Sequence, residues 1–225
     1  MTRKAPRRTA QRIIEASLDL FNRFGEPNVS TTLIASELGI SPGNLYYHYP
    51  AKDVLVNRLH QVFEAALTEL LADGPRVREV AEAHRFVAAL FGLIWRYRFL
   101  YRDQSDLLSR NRHLETRLQK LLLDKEAALR GAIAGLAEAG HLVITAAEAD
   151  ALARSMVVVL TYWLNFEYAT NPREALEPGH AGQALARGCR HVLQLVTPYM
   201  PPASRMQLPA LDPLPATEDD AAEPA

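Results

Sequence analysis

The sequence predicts an all-α fold, and three observations lead to this prediction. Apolar residues recur at spacings of three and four along most of the chain, which is the period of an amphipathic helix. Gly25, Gly39 and Gly140 each follow such an apolar stripe, where the C-terminal glycine of a helix is expected. Beyond residue 75 no segment alternates apolar and polar residues in the manner of a strand. We therefore expect helices joined by short breaks.

Four helices account for the first part of the chain. The first is predicted over about 9–24. Ser30 is the expected N-cap of the second helix and Ser41 of the third, because a serine hydroxyl accepts a hydrogen bond from a free N–H of the first turn. Pro42 then occupies the first helical position, where its missing N–H is not needed. The fourth helix is predicted over about 51–73.

Gly74-Pro75 is the expected boundary between two domains, since neither residue continues a helix readily. Further along, Thr145 and Glu148 have the spacing of a capping box, which predicts the start of another helix. The remaining helices are predicted over about 76–101, 112–139, 145–170 and 181–198, with a short helix or turn within 102–115. The predicted domains are thus 9–60, with the fourth helix continuing from it, and 76–198.

Charge is distributed unevenly along the chain. The formal net charge is −1, yet residues 1–60 contain eight Lys or Arg against five Asp or Glu, whereas residues 201–225 contain one Arg against five acidic residues. A basic segment on a neutral body suits a phosphate-binding module. We expect residues 1–8 to form a disordered basic arm, which either enters a minor groove or is simply solvated. We expect residues 199–225, rich in Pro, Ala and acidic side chains, to form a disordered tail.

The third helix has the composition of a DNA-recognition helix. An α-helix fits the major groove of B-DNA, and its N-terminal residues approach the base edges. Pro42, Gly43 and Asn44 are small enough to let this end lie deep, and the amide of Asn44 offers the donor and acceptor that adenine requires. Other polar groups nearby are candidates for contacts with the phosphate backbone. These candidates are Ser30, Thr32, Ser41, Tyr46, Tyr47, His48 and Lys52. The alternative for residues 41–48 is a tyrosine-rich surface helix.

Several residues of this region occur together in one known family. They are Ile14-Glu15-Ala16, Phe21, Gly25, Ile34-Ala35, the run from Gly39 to Tyr49, Lys52 and Leu55. With these residues, the segment 9–60 resembles the DNA-binding domain of the TetR family of transcriptional repressors. The resemblance implies a helix-turn-helix domain followed by a C-terminal helical domain that binds a small effector and forms a homodimer through its last two long helices. A dimer is also expected because one recognition helix reads only a few base pairs, and two read a palindrome of double-stranded DNA.

The predicted function is sequence-specific regulation of transcription, most simply by a repressor that a small hydrophobic effector releases from a palindromic operator. One alternative is a ligand-dependent activator or co-repressed regulator of the same fold. Another is a helical ligand-binding or enzymatic bundle that kept the motif as scaffold.

Candidates for the effector pocket are mostly aromatic residues of the later helices, with Met156 and two groups that can bind a polar part of a ligand. They are His84, Phe91, Trp95, Arg98, Phe99, Met156, Tyr162, Trp163 and Phe166. The same residues at helical spacing also suit an ordinary core. Arg98 and Arg102 suit internal ion pairs with Asp103 or Asp106, or they could hold an anionic effector.

Catalysis, a metal and a cofactor are not expected. The seven histidines form neither an HxH nor an HExxH pair, and no glycine-rich phosphate loop is present. The single cysteine, Cys189, excludes an intramolecular disulfide and a thiolate cluster. No apolar run approaches the roughly 20 residues of a membrane span, and no N-terminal signal peptide is recognisable. We therefore expect a cytoplasmic protein that is neither an enzyme nor membrane-bound.

Overall fold

A computed structural model describes residues 6–172 and 178–208, and this part of the chain is all-α, as the sequence predicts. The helices are α1 Pro6–Phe24, α2 Thr31–Glu37, α3 Pro42–His48, α4 Lys52–Leu71, α5 Val80–Arg96, α6 Arg98–Arg102, α7 Gln104–Arg110, α8 Arg112–Glu138, α9 Ala146–Thr170, α10 Pro178–Gln194 and α11 Pro202–Arg205. Three 3₁₀ turns, Glu26–Asn28, Gly74–Arg76 and Thr197–Tyr199, connect some of them. None of the helices in the described ranges combines the length and apolar character that crossing a bilayer requires.

Contacts divide the chain into two compact units. We call the first, residues up to Ala65 together with Tyr97–Leu118, the N-terminal unit; the second, Ala66–Arg96 and the residues from Gln119 onward, is the C-terminal unit. The sequence analysis drew its boundary at Gly74-Pro75. The division differs because α6, α7 and the start of α8 pack against the early helices: the rings of Phe21 and Phe99, for example, lie 5.3 Å apart.

The N-terminal unit also explains why the helix predicted over 76–101 is interrupted. The backbone N–H of Phe99 donates to the side-chain Oδ1 of Asn22 (3.2 Å), and it therefore does not continue the hydrogen-bond ladder of α5. Helix α5 ends at Arg96, Tyr97 adopts a non-helical conformation (φ −116°, ψ 36°), and α6 starts at Arg98. A contact with a residue more than 70 positions earlier gives no signal in the local pattern.

In the C-terminal unit, α10 packs closely against α5 and α9. Gly188 makes this approach possible: a Cβ atom there would lie 2.7 Å from the rings of both Phe91 and Trp163. The indole N–H of Trp163 donates to the carbonyl of Ala184 (2.8 Å), which adds a polar link between α9 and α10. One helical turn later along α9, the buried carboxylate of Glu167 accepts two hydrogen bonds from the guanidinium of Arg187 (2.6 and 2.9 Å). Such bidentate pairs fix orientation as well as distance.

The beginning of α9 confirms the predicted capping box. The Thr145 hydroxyl accepts from the N–H of Glu148 (3.3 Å), and the Glu148 carboxylate accepts from the N–H of Thr145 (2.8 Å). Without these bonds, the backbone N–H groups of Thr145 and Glu148 would be unpaired donors at the helix start. The Thr145 hydroxyl also donates to this carboxylate (2.6 Å), and this bond, together with the one from the Thr145 N–H, lowers the pKa of Glu148.

The two predicted disordered termini need correction where the structure describes them. Helix α1 begins at Pro6, so residues 6–8 of the expected arm are helical, with proline at the first position. Residues 199–208 of the expected tail are ordered, because Met200 and Ser204 are buried and the N–H of Val143 donates to the carbonyl of Tyr199 (2.8 Å). The surrounding Pro and Ala residues concealed this apolar anchor in the sequence. The rest of the arm and tail, residues 1–5 and 209–225, lie outside the described ranges.

Candidate nucleic-acid interface and apolar cavity

The turn between α2 and α3 fixes the relative position of these two short helices. Gly39 adopts φ 62°, a conformation that suits glycine, and its N–H donates to the carbonyl of Ser36 (3.0 Å). The next N–H, of Ile40, reaches back to the carbonyl of Ala35 (3.0 Å). This pair of bonds is the Schellman ending of a helix. Ile34 and Leu45, which are fully buried, complete the core below the turn.

Serine caps begin both helices, at the two positions that the sequence analysis assigned to them. The Ser30 hydroxyl oxygen accepts from the N–H of Leu33 (3.1 Å), and that of Ser41 accepts from the N–H of Asn44 (3.2 Å). Each hydroxyl still has its own hydrogen to donate. The capping role and a phosphate contact are therefore compatible at Ser30 and Ser41.

The outer face of α3 is accessible to a partner. Pro42, Gly43 and Asn44 are exposed, and the Tyr47 side chain is 81% exposed, an unusual situation for a large aromatic residue. Apart from its chain neighbours and the backbone of its own helix, Gly43 has no atom within 4 Å of the place where a Cβ would stand. His48 is half-buried with its ring against that of Tyr47 (5.1 Å between centroids). The structure thus brings the candidate base-reading residues together on one exposed helix start.

Tyr46 has a second link that the sequence analysis did not anticipate. Its phenol oxygen lies 3.0 Å from the Thr31 hydroxyl, which connects α3 to the first turn of α2. The sequence analysis named the neighbouring Thr32, which is exposed at the same helix start. The contact of Thr31 with Tyr46 could not be predicted from a local sequence pattern, because the two residues are 15 positions apart and meet only after the turn is folded.

Lys52 makes contacts within the protein that the sequence pattern did not predict. Its ammonium donates to the carbonyls of Glu26 (2.8 Å) and Val29 (3.0 Å), and it lies 3.1 Å from the Glu26 carboxylate. An ammonium has three N–H groups, so these contacts occupy it within the protein. Lys52 thereby fixes the start of α4 against the turn after α1, and its phosphate contact stays a prediction.

A charged cluster of the N-terminal unit surrounds the same carboxylate. Glu26 is completely buried, and the Arg110 guanidinium donates to its second oxygen while also binding Asp106 (2.9 Å). The hydrogen bonds with these carboxylates raise the pKa of Arg110, whereas its partial burial acts in the opposite direction. In the same region the N–H of Glu26 donates to Asp103 (2.8 Å). This cluster, Glu26, Lys52, Asp103, Asp106 and Arg110, links α4 and α7 to the turn between α1 and α2.

The basic arm can be followed only in part. Arg8 is exposed on the first turns of α1. Arg3 and Lys4 lie outside the described residues, as does the side chain of Arg7.

Models of known families match nearly the whole chain. Residues 13–59 match the bacterial regulatory proteins of the tetR family, and residues 62–208 match the bacterial transcriptional repressor model named TetR. The chain belongs to the TetR family. Its regulators are DNA-binding proteins and not enzymes, which agrees with the exposed helix-turn-helix described above.

Solved structures of TetR-family proteins have the same fold. A TetR-family transcriptional regulator from Marinobacter aquaeolei VT8 is 30% identical, with a TM-score of 0.79 over 90% of this chain and 96% of that one. A TetR transcription regulator from Haloarcula marismortui (14% identity, TM-score 0.63, 87% and 100% covered) shares the fold. So does a gamma-butyrolactone receptor described as ArpA-like (17% identity, TM-score 0.63, 90% and 94% covered). No curated protein matches the sequence.

The C-terminal unit contains an apolar cavity among α5, α8, α9 and the end of α10. The α5 and α9 residues that line it are Val80, Ala83, Phe86, Val87 and Met156. Helix α8 contributes Leu129, Ala132, Ile133 and Leu136. The chain from the end of α10 onward contributes Leu193, Val196, Met200 and Leu208. The cavity volume is about 20 Å³, which is enough for one water molecule and far less than a small-molecule site requires.

Of the sequence-predicted effector residues, Met156 alone lines this cavity. Phe91, Trp95 and Trp163 are buried in the packing of α5, α9 and α10. His84 is half-buried, and burial lowers its pKa. Tyr162 and Phe166, by contrast, are more than half exposed on α9. Helical spacing alone did not distinguish a cavity wall from a core or from an exposed stripe.

Arg98 and Phe99 belong to the N-terminal unit rather than to this cavity. Phe99 is fully buried against Phe21. One of the ion pairs that the sequence predicts, that of Arg102 with Asp103, is present: the Nε of Arg102 lies 3.2 Å from Oδ1 of Asp103. Arg102 also donates to the carbonyl of Phe21 (2.9 Å), which holds α6 against the end of α1.

Lys125 of α8 is a residue that sequence reasoning missed. It is 1% exposed within the C-terminal unit, and burial lowers its pKa to about 8. Because α8 contains many charged residues, the sequence does not show which of its lysines is buried.

Proposed function

We propose that this protein is a homodimeric repressor that inserts α3 into the major groove of a palindromic operator and is released by a small apolar effector. The observation that carries the proposal is the exposed start of α3, with Pro42, Gly43 and Asn44 accessible beside a Tyr47 side chain that is 81% exposed. Asn44 is the candidate for adenine recognition. Ser30, Thr32, Ser41, Tyr46, Tyr47 and His48 are the candidates for backbone contacts. Because its target is chromosomal DNA, we assign the protein to the cytoplasm.

An exposed apolar stripe on α9 supports a homodimer. Val158, Tyr162 and Phe166 follow one another at intervals of four residues, and each is more than half exposed. Single exposed apolar residues are common, but an aligned stripe of this kind on a long helix favours a helix-helix interface. We propose that this face of α9, with the neighbouring α10, meets its copy in a second chain. A two-fold dimer would present two copies of α3 to the two halves of a palindrome.

The apolar cavity supports an effector of hydrophobic character. All of its lining side chains are aliphatic, aromatic or thioether groups. A ligand bound there weakens operator binding only as far as it favours a conformer with lower affinity for DNA.

The DNA part of the proposal is tested by fluorescence anisotropy on the DNA upstream of the protein's own gene. Tyr47→Ala should weaken specific binding at least about tenfold, a loss of about 1.4 kcal/mol, and leave the fold intact by circular dichroism. Tyr168→Ala is the matched control, because Tyr168 is an exposed tyrosine of the C-terminal unit and not part of the helix-turn-helix. Equal affinities of the two variants would contradict the docking of α3.

The dimer is tested separately by sedimentation velocity. Phe166→Glu should convert the dimer into a monomer, since it adds a charge to an apolar face that the proposed dimer would bury. Tyr168→Glu, off the stripe on the same helix, should remain dimeric. A dimer with Phe166→Glu would exclude this face as the interface.

A further inference from the structure

One wall of the apolar cavity comes from the end of the described chain. Met200 and Leu208 lie on this wall, and both follow α10, which ends at Gln194. Met200 is 3% exposed, whereas Met206 on the same short segment is 78% exposed. Residues 199–208, which we call the C-terminal wall, therefore have one side inserted into the cavity and one side toward solvent.

The described polar contacts of the C-terminal wall are of two kinds. Arg205 donates to a carbonyl within the segment, that of Met200 (2.8 Å), and to one just before it, that of Pro198 (3.5 Å), and other contacts join the wall to the segment after α8. The His141 ring nitrogen Nδ1 lies 3.0 Å from the Ser204 hydroxyl, and its Nε2 lies 3.1 Å from the Glu79 carboxylate at the start of α5. The N–H of Val143 donates to the carbonyl of Tyr199 (2.8 Å). A single imidazole thus connects the wall, the loop after α8 and the beginning of α5.

The other walls have little freedom to move apart. Helix α10 meets α5 and α9 so closely at Gly188 that no Cβ fits there. On α8, a Cβ at Gly135 would lie 2.1 Å from the carbonyl oxygen of Val77, so this helix is similarly tight against the segment before α5. A ligand site needs at least about 300 Å³, and the cavity has about 20 Å³. The missing volume has to come from the least restrained wall.

We propose that residues 199–208 are a displaceable wall of the effector site, and that an uncharged, largely hydrocarbon ligand enters by replacing the side chains of Met200 and Leu208. The ligand class follows from the lining, in which every described side chain is apolar. Methionine suits a displaceable position, because its unbranched side chain adapts to irregular space. The inference rests on the proposed effector site in the C-terminal unit. It adds the place where the ligand enters, residues 199–208, and the side chains that compete with the ligand, those of Met200 and Leu208.

The test uses the full chain and N-phenyl-1-naphthylamine, an uncharged apolar dye whose fluorescence increases in an apolar site. Met200→Ala removes part of the competing side chain and should tighten dye binding about tenfold, or about 1.4 kcal/mol. Met206→Ala is the matched control on the exposed side of the segment and should leave dye affinity unchanged. Ser204→Ala breaks the His141 contact and should accelerate dye association in stopped-flow measurements without loss of fold.

A filling substitution locates the dye. Ala132 lines the cavity from α8, so Ala132→Phe combined with Met200→Ala should abolish the gain in affinity. Equal dye binding by the Met200→Ala and Met206→Ala proteins, with unchanged association for Ser204→Ala, would overturn the displaceable wall. Operator affinity measured without dye separates the two proposals. We expect the parent and all four variants to bind the operator. A parent that does not bind would contradict the repressor function, and the dye result would still decide whether the wall is displaceable.

Discussion

The buried carboxylate of Glu26 and the guanidinium of Arg110 form an ion pair between residues 84 positions apart. Glu26 has no exposed surface, and the ammonium of Lys52 lies 3.1 Å from its other oxygen. Two cations therefore compensate one carboxylate that would be very unfavourable alone in the protein interior. The pair joins α7 to the turn that precedes the helix-turn-helix, so it supports the position of the DNA-contacting helices within the N-terminal unit.

Removal of Arg110 should destabilise the protein strongly. Arg110→Met leaves the buried Glu26 with one cation, and breaking a buried pair in this way costs about 3 kcal/mol. Urea denaturation followed by circular dichroism measures the loss. The double variant Glu26→Gln with Arg110→Met should recover much of it. Arg154→Met, which removes an exposed pair with Glu126, should cost less than about 1 kcal/mol. Similar losses for the Arg110 and Arg154 variants would exclude a structural role for the buried pair.

Lys52→Met should separate stability from phosphate binding. The lysine contacts two carbonyls and Glu26, so its loss should lower the urea midpoint. The slope of log affinity against log salt for operator binding should stay unchanged, whereas loss of a phosphate contact would reduce that slope by about 1. Arg8→Met is the comparison, since Arg8 is exposed on α1. A reduced salt slope for Lys52→Met would restore the phosphate contact that the sequence analysis expected.

Lys125 should make stability rise with pH between about 8 and about 10.5. Burial lowers the pKa of Lys125 in the folded state from 10.5 to about 8. Between these two values the unfolded chain binds the proton and the folded chain does not, so the free energy of unfolding increases with pH. The difference between the parent and Lys125→Met in urea denaturation at pH 7 to 10.5 isolates this contribution, of order 3 kcal/mol. The same subtraction removes the opposite effect of Cys189, whose pKa burial raises to about 12. A constant difference over this range would contradict the buried, partly neutral lysine.

Two glycines of α10 should respond oppositely to alanine. Gly188→Ala inserts a Cβ 2.7 Å from Phe91 and Trp163, and such overpacking costs about 1–3 kcal/mol. Gly182→Ala has open space around the new Cβ and should stabilise the helix by up to about 1 kcal/mol. Thermal unfolding measures both. A neutral Gly188→Ala would show that α10 does not approach α5 and α9 as closely as the structure has it.

Local signals predicted the helix starts of this protein well. The caps at Ser30, Ser41 and Thr145 involve residues three positions apart, so sequence and structure carry the same information there. The role of Lys52 was not accessible in this way, because its partners Glu26 and Val29 lie 26 and 23 residues earlier. The family pattern suggested a DNA contact, and only the folded turn revealed the internal one.

The apolar cavity was less predictable for a related reason. Periodicity marks a residue as facing something apolar, but it does not distinguish a core, a cavity or an exposed stripe. Met156 and Phe166 lie on the same helix and satisfy the same pattern, yet the first lines the cavity and the second is 57% exposed. Met200 was missed because the Pro- and Ala-rich composition around it indicated disorder.

The empty surroundings of Gly43 have a consequence for how this region evolves. Glycine within a helix reduces its stability relative to alanine, and no atom of the described protein lies where a Cβ would stand. The free protein therefore gains nothing from this glycine, and any benefit must come from a bound molecule that approaches the backbone closely. Under the proposed docking of α3, folding and recognition would place opposite demands on this position, so mutations there would improve the isolated protein while impairing its complex with DNA.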